Sequence, residues 1–347
     1  MSPAKCDSLY LPSGYLDMRG LAATPAPFIF VVSARGTGKT YGACEYVMER
    51  EEDGGGKFIF MRRTNTQADI IRSKEFSPFA ALPFATVNKP INKYMTGVYR
   101  ANEEGEAQGA PAGYICGLST FANVRGFDAR EVTTIVYDEF IPEPQEKAFA
   151  KDEAGALWNA YETVNRNREL QGLPPLKLLC LANSNRLDND YFVSLELVGK
   201  AWDMARKGRE FKYLKDRGIA ICIPRHSPIS ERKAETALYK AVPSGDFTAM
   251  ALENNFGFDD RNICTRRLNE YRPVLRVGEV CVYEHKARAE FYVSRHRSGR
   301  VPVYGAEAEE LERFRHANMW LWRASLADRV LYEDAACKAL FDRYFKK

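Results

Sequence analysis

Histidine and paired cysteine are what this chain has least of. Four histidines in 347 residues, and eight cysteines never spaced C-x-x-C, exclude the common zinc modules. They argue for reduced thiols rather than a disulfide framework. No apolar stretch approaches the roughly 20 residues that span a bilayer. The first residues, Asp7 among them, lack the basic-then-apolar order of a secretory signal. A cytoplasmic protein with no membrane association is expected. A large excess of either charge is lacking too: the net +4 permits a nucleic-acid partner without demanding one. No internal repeat or low-complexity tract interrupts the chain. The apolar content of 45% is that of an ordinary globular protein with material for a sizeable core.

Against that plain background one segment stands out. Phe28-Ile29-Phe30-Val31-Val32 reads as a short buried parallel strand. It breaks into Ser33-Ala34-Arg35-Gly36-Thr37-Gly38-Lys39-Thr40, a phosphate-cradling loop. Gly36 and Gly38 let the backbone aim its N–H groups at an anion. Lys39 supplies a point charge for the β- and γ-phosphates, and Thr40 a hydroxyl for magnesium. The helical pattern that follows turns its positive end toward those phosphates. Ser33 stands where such loops usually carry glycine. The implied ligands are ATP and Mg2+.

A second motif supplies the other half of such a site. Val132-Thr133-Thr134-Ile135-Val136-Tyr137 is an apolar strand that ends in Asp138-Glu139. Asp138 suits the metal, and Glu139 suits the polarisation of an attacking water. Strand alternation should turn the two carboxylates to different sides. A Glu directly after the metal-binding Asp points to ring-forming motor and helicase ATPases, with an extra strand between the two motif strands. Hydrolysis there is completed by a cation from a neighbouring subunit. Arg166 and Arg168, in Asn165-Arg166-Asn167-Arg168-Glu169, are even candidates, against the plainer reading of a helix end complemented by cations. Asn183 and Ser184 close a later buried strand and could sense the γ-phosphate, although on sequence grounds a simple strand-ending turn is the preferred reading. Strands that alternate with helices imply a mostly parallel α/β sheet. Residues 84–118 read as antiparallel hairpins inserted in it.

These residues resemble the P-loop ATPases that package the genomes of small, short-tailed, protein-primed phages, the encapsidation proteins. The resemblance rests on 31–41, on Phe58-Ile59-Phe60-Met61-Arg62-Arg63, on 132–141 (VTTIVYDEFI), on 163–169 (TVNRNRE) and on 180–183 (CLAN). It covers most of 25–190 and thins beyond 200. It implies an additional-strand, catalytic-Glu P-loop NTPase with a parallel-rich sheet over 1–198, and a linker or helical segment over 199–250. A small α+β domain over 251–347 would resemble a degenerate RNase H-like nuclease. It implies roles for Ser33, Ala34, Arg35, Gly36, Thr37, Gly38, Lys39, Thr40 and Asn183 at the nucleotide, and for Thr40 and Asp138 at the metal. Glu139 would activate water, with Arg166 and Arg125 acting on the neighbouring subunit.

The implied activity is ATP-driven pumping of double-stranded DNA into a procapsid. The implied assembly is a homomeric ring, a pentamer by resemblance, docked on the portal in the host cytoplasm, with a structural packaging RNA as a further partner. A helicase-like remodelling ATPase and a non-cycling nucleotide-dependent assembly switch are the alternatives. Nuclease activity is not expected. The strand 291–296 carries Arg295 and His296 where a metal-binding Asp would be needed, and Asp259, Asp260, Glu333 and Asp334 read as surface acids.

DNA-gripping candidates are Lys89, Lys93, Arg100, Arg125, Arg295, His296, Arg297 and Arg300. Such a grip reads phosphates rather than bases. Affinity for unrelated duplexes should therefore be similar and fall at least tenfold between 50 and 200 mM salt, on the order expected for several phosphate contacts. Fluorescence anisotropy with two unrelated sequences checks this, and a salt-independent or sequence-selective affinity would contradict it.

Overall fold

The computed structural model describes residues 9–124, 126–143, 146–184, 186–225, 227–229, 235–241 and 262–345. The chain divides into two compact units, 1–185 with 204–256, and 186–203 with 257–347.

The first unit is a mixed α/β structure around one nine-stranded sheet. Its central strands are short, apolar and buried on both faces, as parallel strands covered by helices must be. They are β1 (Phe28–Ser33), β2 (Lys57–Arg62), β6 (Val132–Asp138) and β7 (Lys177–Asn183). The hairpin strands are β3 (Thr86–Asn92), β4 (Met95–Ala101) and β5 (Ala107–Gly117). The last two are β8 (Phe211–Leu214) and β9 (Ile219–Cys222). The order is β3-β4-β5-β2-β6-β7-β1-β9-β8. Pairings from β5 to β9 are parallel, and the pairings at both ends are antiparallel.

The 84–118 region therefore does two jobs. Its first part is the expected hairpin. Gly113 to Cys116 keeps its antiparallel pairing with β4 and on its other side runs parallel to β2, with Ala112, Ile115 and Cys116 buried in the body of the sheet. The expected linker over 199–250 is also revised. Helix α6 (Val198–Arg206) leads into β8 and β9, and β9 pairs with β1. Ile219, Ala220, Ile221 and Cys222 are all buried, so this run extends the sheet rather than bridging domains. Residues 186–198, expected with the first domain, group with the second unit, where Val193 packs on the core.

Helix α2 (Lys39–Glu52) opens at Gly38 in the left-handed region, φ 84°, a conformation that favours glycine. Helix α4 (Glu153–Asn165) is capped by the Asp152 carboxylate accepting from the Gly155 N–H at 2.8 Å. A cap of this kind contributes about 1 kcal/mol.

In the second unit, β10 (Tyr271–Val277), β11 (Val280–His285) and β12 (Phe291–Ser294) form an antiparallel meander. β13 (Val303–Tyr304) adds to β10 and β14 (Val330–Tyr332) to β12, both parallel. Helices Ala308–Leu326 and Ala335–Phe345 bury Phe314, Leu321, Phe341 and Phe345 against Val282 and Val293.

Lys177, at the start of β7, donates to the carbonyls of Ala22 at 2.6 Å and Thr24 at 2.8 Å. Burial, with Arg50 adding, lowers its ammonium from 10.5 to about 8. Between those two values the unfolded chain holds a proton that the folded chain has released, so stability rises with pH across that window. Denaturant titrations at pH 7.5 and 9.5 should show this rise in the parent, on the order of 1 kcal/mol, and its loss in Lys177→Met. An equal pH slope in both proteins would contradict the assignment.

Candidate functional site

Parallel register brings three strand ends to one edge. Ser33 lies opposite Asn183, and Asp138 opposite Leu181. β7 separates β1 from β6, so the loop after β1 and the acids after β6 face one another across a single strand. Gly36 and Gly38 both have positive φ, 89° and 84°. A Cβ at Gly38 would stand 3.0 Å from the Tyr15 ring, so no other residue fits without movement.

Ser33, in the usual glycine position, is fully buried. It donates to the Ala34 carbonyl at 3.0 Å and shares a hydrogen bond of 3.0 Å with the Thr37 hydroxyl. The loop keeps its shape through side-chain bonds where glycine would offer none. Two further contacts brace it from outside: Leu16 N–H donates to Thr37 O at 2.9 Å, and the Ser227 hydroxyl donates to Gly36 O at 3.0 Å.

Lys39 is buried and folded back on the loop. Its ammonium donates to Ala34 O at 3.2 Å and to the Asn183 side-chain oxygen. The Thr40 hydroxyl donates to the Asp138 carboxylate at 3.2 Å. This donor set fits a magnesium nucleotide. One hydroxyl and one carboxylate leave the remaining positions of an octahedral ion to phosphate and water, as Mg2+ prefers. Among the described residues no cluster of three or more His, Cys, Asp or Glu could hold a metal unaided.

The two acids do not diverge as alternation suggested. Glu139 lies past the strand end, in the left-handed region at φ 56°, held there by Phe140 N–H donating to Leu181 O at 3.1 Å. Both carboxylates consequently reach one guanidinium: Arg62 pairs with Asp138 at 3.1 Å and with Glu139. Burial raises the Glu139 carboxyl above its ordinary range. Arg62 opposes the shift and Asp138 adds to it. A partly buried carboxylate with a raised pKa is suited to exchange a proton with water. Arg35 pairs with Glu143 at 2.9 Å, and Ala34 is buried.

Sequence reading gave no role to Arg62, Arg63, Tyr15 or Ser227. The signal for the first two was a doubled cation at the end of a buried strand, where alternation sends one side chain to each face. Arg63 is buried with a fork of bonds to Glu153 at 2.8 and 3.1 Å, to Glu146 at 2.6 Å and to the Lys147 carbonyl. It anchors the chain that follows Glu139.

Arg166 and Arg168 are not near this edge. Arg166 ends α4 in the left-handed region at φ 45° and donates to Phe127 O at 2.9 Å. Arg168 donates to Pro174 O at 3.0 Å and Arg130 O at 3.2 Å. These partners precede β6 and β7, so both arginines sit at the opposite edge, one strand length of roughly 20 Å away. Arg125, Asp259 and Asp260 lie outside the described residues.

Of the DNA candidates, Arg100 is committed to Met48 O at 2.7 Å and to Glu51 and Glu52. Arg295 faces Asp334 at 3.9 Å. Lys89, Lys93, His296, Arg297 and Arg300 are exposed. Glu333 and Asp334, expected as surface acids, are half-buried and engaged. Glu333 accepts from the Ser294 hydroxyl at 2.8 Å and the Arg295 N–H at 3.2 Å, and Asp334 accepts from the Cys337 N–H at 2.7 Å.

Fold and edge together define a mixed α/β protein with a parallel-rich sheet whose strand ends carry a glycine loop facing a carboxylate pair. The chain belongs to the family of Podovirus DNA encapsidation proteins (Gp16), whose profile it matches over residues 13–286. It is 26% identical to the DNA packaging protein of Bacillus phage phi29 over 248 residues, 72% of this chain and 68% of that one. It is 27% identical to the DNA packaging protein of Bacillus phage B103 over 236 residues, 65% and 63% of the two chains. Among solved structures, the bacteriophage phi29 genome packaging motor assembly aligns with a TM-score of 0.64 at 20% identity, over 97% of this chain and 100% of that one. That likeness supports the fold.

Removing Arg63 would leave the buried Glu153 carboxylate without a cation, its remaining bond the one from the Phe149 N–H at 2.8 Å, and breaking a buried pair in this way costs about 3–5 kcal/mol. Urea titration of Arg63→Met should show a loss of that size. A change below about 1 kcal/mol would mean that Glu153 finds another partner.

Proposed function

We propose that this chain is an ATP-driven translocase that pumps double-stranded viral DNA into a procapsid through the portal vertex. In this reading it is a P-loop NTPase of the additional-strand, catalytic-Glu type, with β7 as the additional strand, and it works as a homomeric ring. The observation that carries the reading is the separation of Arg166 from the same chain's Lys39, Thr40, Asp138 and Glu139. The two sets occupy opposite edges of one sheet, so a site that contains both needs two copies of the chain.

ATP with Mg2+ supplies the anhydride whose cleavage releases the energy. Lys39 and the loop N–H groups of 34–40 would hold the phosphates, and Thr40 and Asp138 would hold the ion. Asn183, already bonded to Lys39, would sense the terminal phosphate. Glu139 orients water and accepts its proton, and Arg62 positions that carboxylate. Arg166 of a neighbouring copy offsets charge on the transferred phosphoryl group, a contribution worth roughly 10³–10⁵ in rate for such fingers. Arg125 is a second candidate for that role.

The same reading makes the C-terminal unit an RNase H-like fold without nuclease activity. Glu333 and Asp334 support this, because both are spent on strand-end and helix-cap bonds. Double-stranded DNA, a portal protein and a structural packaging RNA are the proposed partners. The proposed place of work is the host cytoplasm, on the procapsid. Family membership and the interface logic favour a pump over a helicase or a static switch.

ATPase rate against protein concentration, with and without duplex DNA, tests the proposal. The parent rate should rise with assembly and with DNA. Glu139→Gln and Arg166→Ala should each fall at least a hundredfold, the order expected for loss of a base or a finger. A mixture of the two should recover part of the activity, because some interfaces then pair an intact Glu139 with an intact Arg166. A rate that is flat with concentration, ignores DNA and survives Arg166→Ala would overturn it.

A further inference from the structure

Among the exposed apolar residues of the described chain, two groups lie at opposite edges of the sheet that carries the site. The first is the loop after Arg166. Leu170 is 85% exposed, and Leu173, Pro174 and Pro175 are exposed beside it. This loop is not slack. Arg166, Asn167 and Gly172 all hold positive φ. The Asn165 side chain accepts from the Leu176 N–H at 3.0 Å, Arg168 ties the loop to Pro174 and Arg130, and Gln171 donates to Arg166 O at 3.3 Å. Left-handed non-glycine residues cost energy, and they persist where the surrounding structure over-determines them, commonly at functional sites. Here the bonds hold an isolated leucine outward on a rigid base, with two prolines that lose little entropy on contact.

The second patch borders the phosphate loop. Leu11, Tyr15 and Tyr41 are among the exposed large apolar residues of the chain. The Tyr15 ring lies across Gly38, and Leu11 N–H donates to Tyr15 O at 2.8 Å. Tyr41 directly follows Thr40 on α2. This patch therefore flanks the edge that lacks an arginine, while the leucine loop flanks the edge that offers one.

We infer that the 166–175 loop is a docking knob that seats Leu170 on the Leu11–Tyr15–Tyr41 patch of a second copy of this chain. The inference rests on the ring reading above and names the surfaces that close it. Leu170 is four residues from Arg166 in a rigid loop, so an Arg166 that reaches a neighbour's phosphate edge carries Leu170 to the same neighbour. A knob at one edge and a platform at the other make a head-to-tail contact. Repeated contacts of that kind generate a ring when the rotation closes. Two apolar patches that cover each other also account for exposure that a lone subunit would carry as an aggregation liability.

Sedimentation velocity and ATPase rate across a concentration series test this. Leu170→Glu should raise the concentration for half-maximal assembly at least tenfold and leave the melting temperature of the dilute protein unchanged, because Leu170 touches little within its own chain. Oxidation of a Leu170→Cys/Tyr15→Cys double variant should yield covalent oligomers that neither single variant forms. Assembly of Leu170→Glu at the parent's concentration, or no crosslink beyond the single variants, would overturn the inference. If either of those overturning results comes with an Arg166→Ala that assembles but stays inactive, the ring survives and only the knob is lost. A parent that never assembles would overturn both.

Discussion

The structure depends on the insertion of β7 between β1 and β6. Parallel pairing fixes the register of all three, so Ser33 ends level with Asn183 and Asp138 two residues short of it, opposite Leu181, at the same edge. From there the chain can only turn outward, and the groups on those turns meet in a single place. Hydrophobic burial of Val31, Val136, Leu179 and Leu181 supplies the energy. The polar edge is a consequence of where those apolar runs stop.

That edge carries charge that burial makes costly, and the chain offsets the cost by pairing. Asp138 and Glu139 converge on Arg62, while Glu153 and Glu146 converge on Arg63. The two adjacent arginines thus serve different faces of β2: one sets the acids of the site, the other fastens the chain beyond them. Arg62 Nε is buried with no hydrogen-bond partner, an uncompensated polar atom beside the two carboxylates. Lys39 is likewise committed, to Asn183 and Ala34. The edge is organised around cations that already have partners, so under the proposed function ligand binding would exchange partners rather than capture free charge.

Among the described non-glycine residues with positive φ, which also include Glu196 and Asp328, Glu139 and the Arg166–Asn167 pair bear on the site and its opposite edge. Both lie where a regular element ends and a side chain must leave its expected direction. Glu139 turns back toward Arg62. Arg166 and Asn167 turn the chain so that the following loop projects outward. The packed strands and helix that flank each site hold these conformations.

Much of this was legible in the amino-acid sequence, because it is local. The apolar runs of β1, β2, β6 and β7, the glycines before Lys39 and the Asp-Glu after a buried strand are all short-range patterns, and each became the expected element. What the sequence could not determine depends on pairing between distant segments. Residues 199–250 read as a linker or helical segment because nothing nearby says that β9 will find β1. The doubled cation Arg62-Arg63 signalled one side chain to each face but not what each would meet, since their partners lie more than 70 positions away. The alternation argument for Asp138 and Glu139 failed because strand geometry ended one residue earlier than the pattern implied. The sequence by itself determined the chemistry available at the edge, because loop conformation and side-chain type are set locally. Tertiary structure alone decided which acids share a cation and which arginine lies out of reach of its own loop, because only the sheet's strand order turns separation along the chain into distance in space.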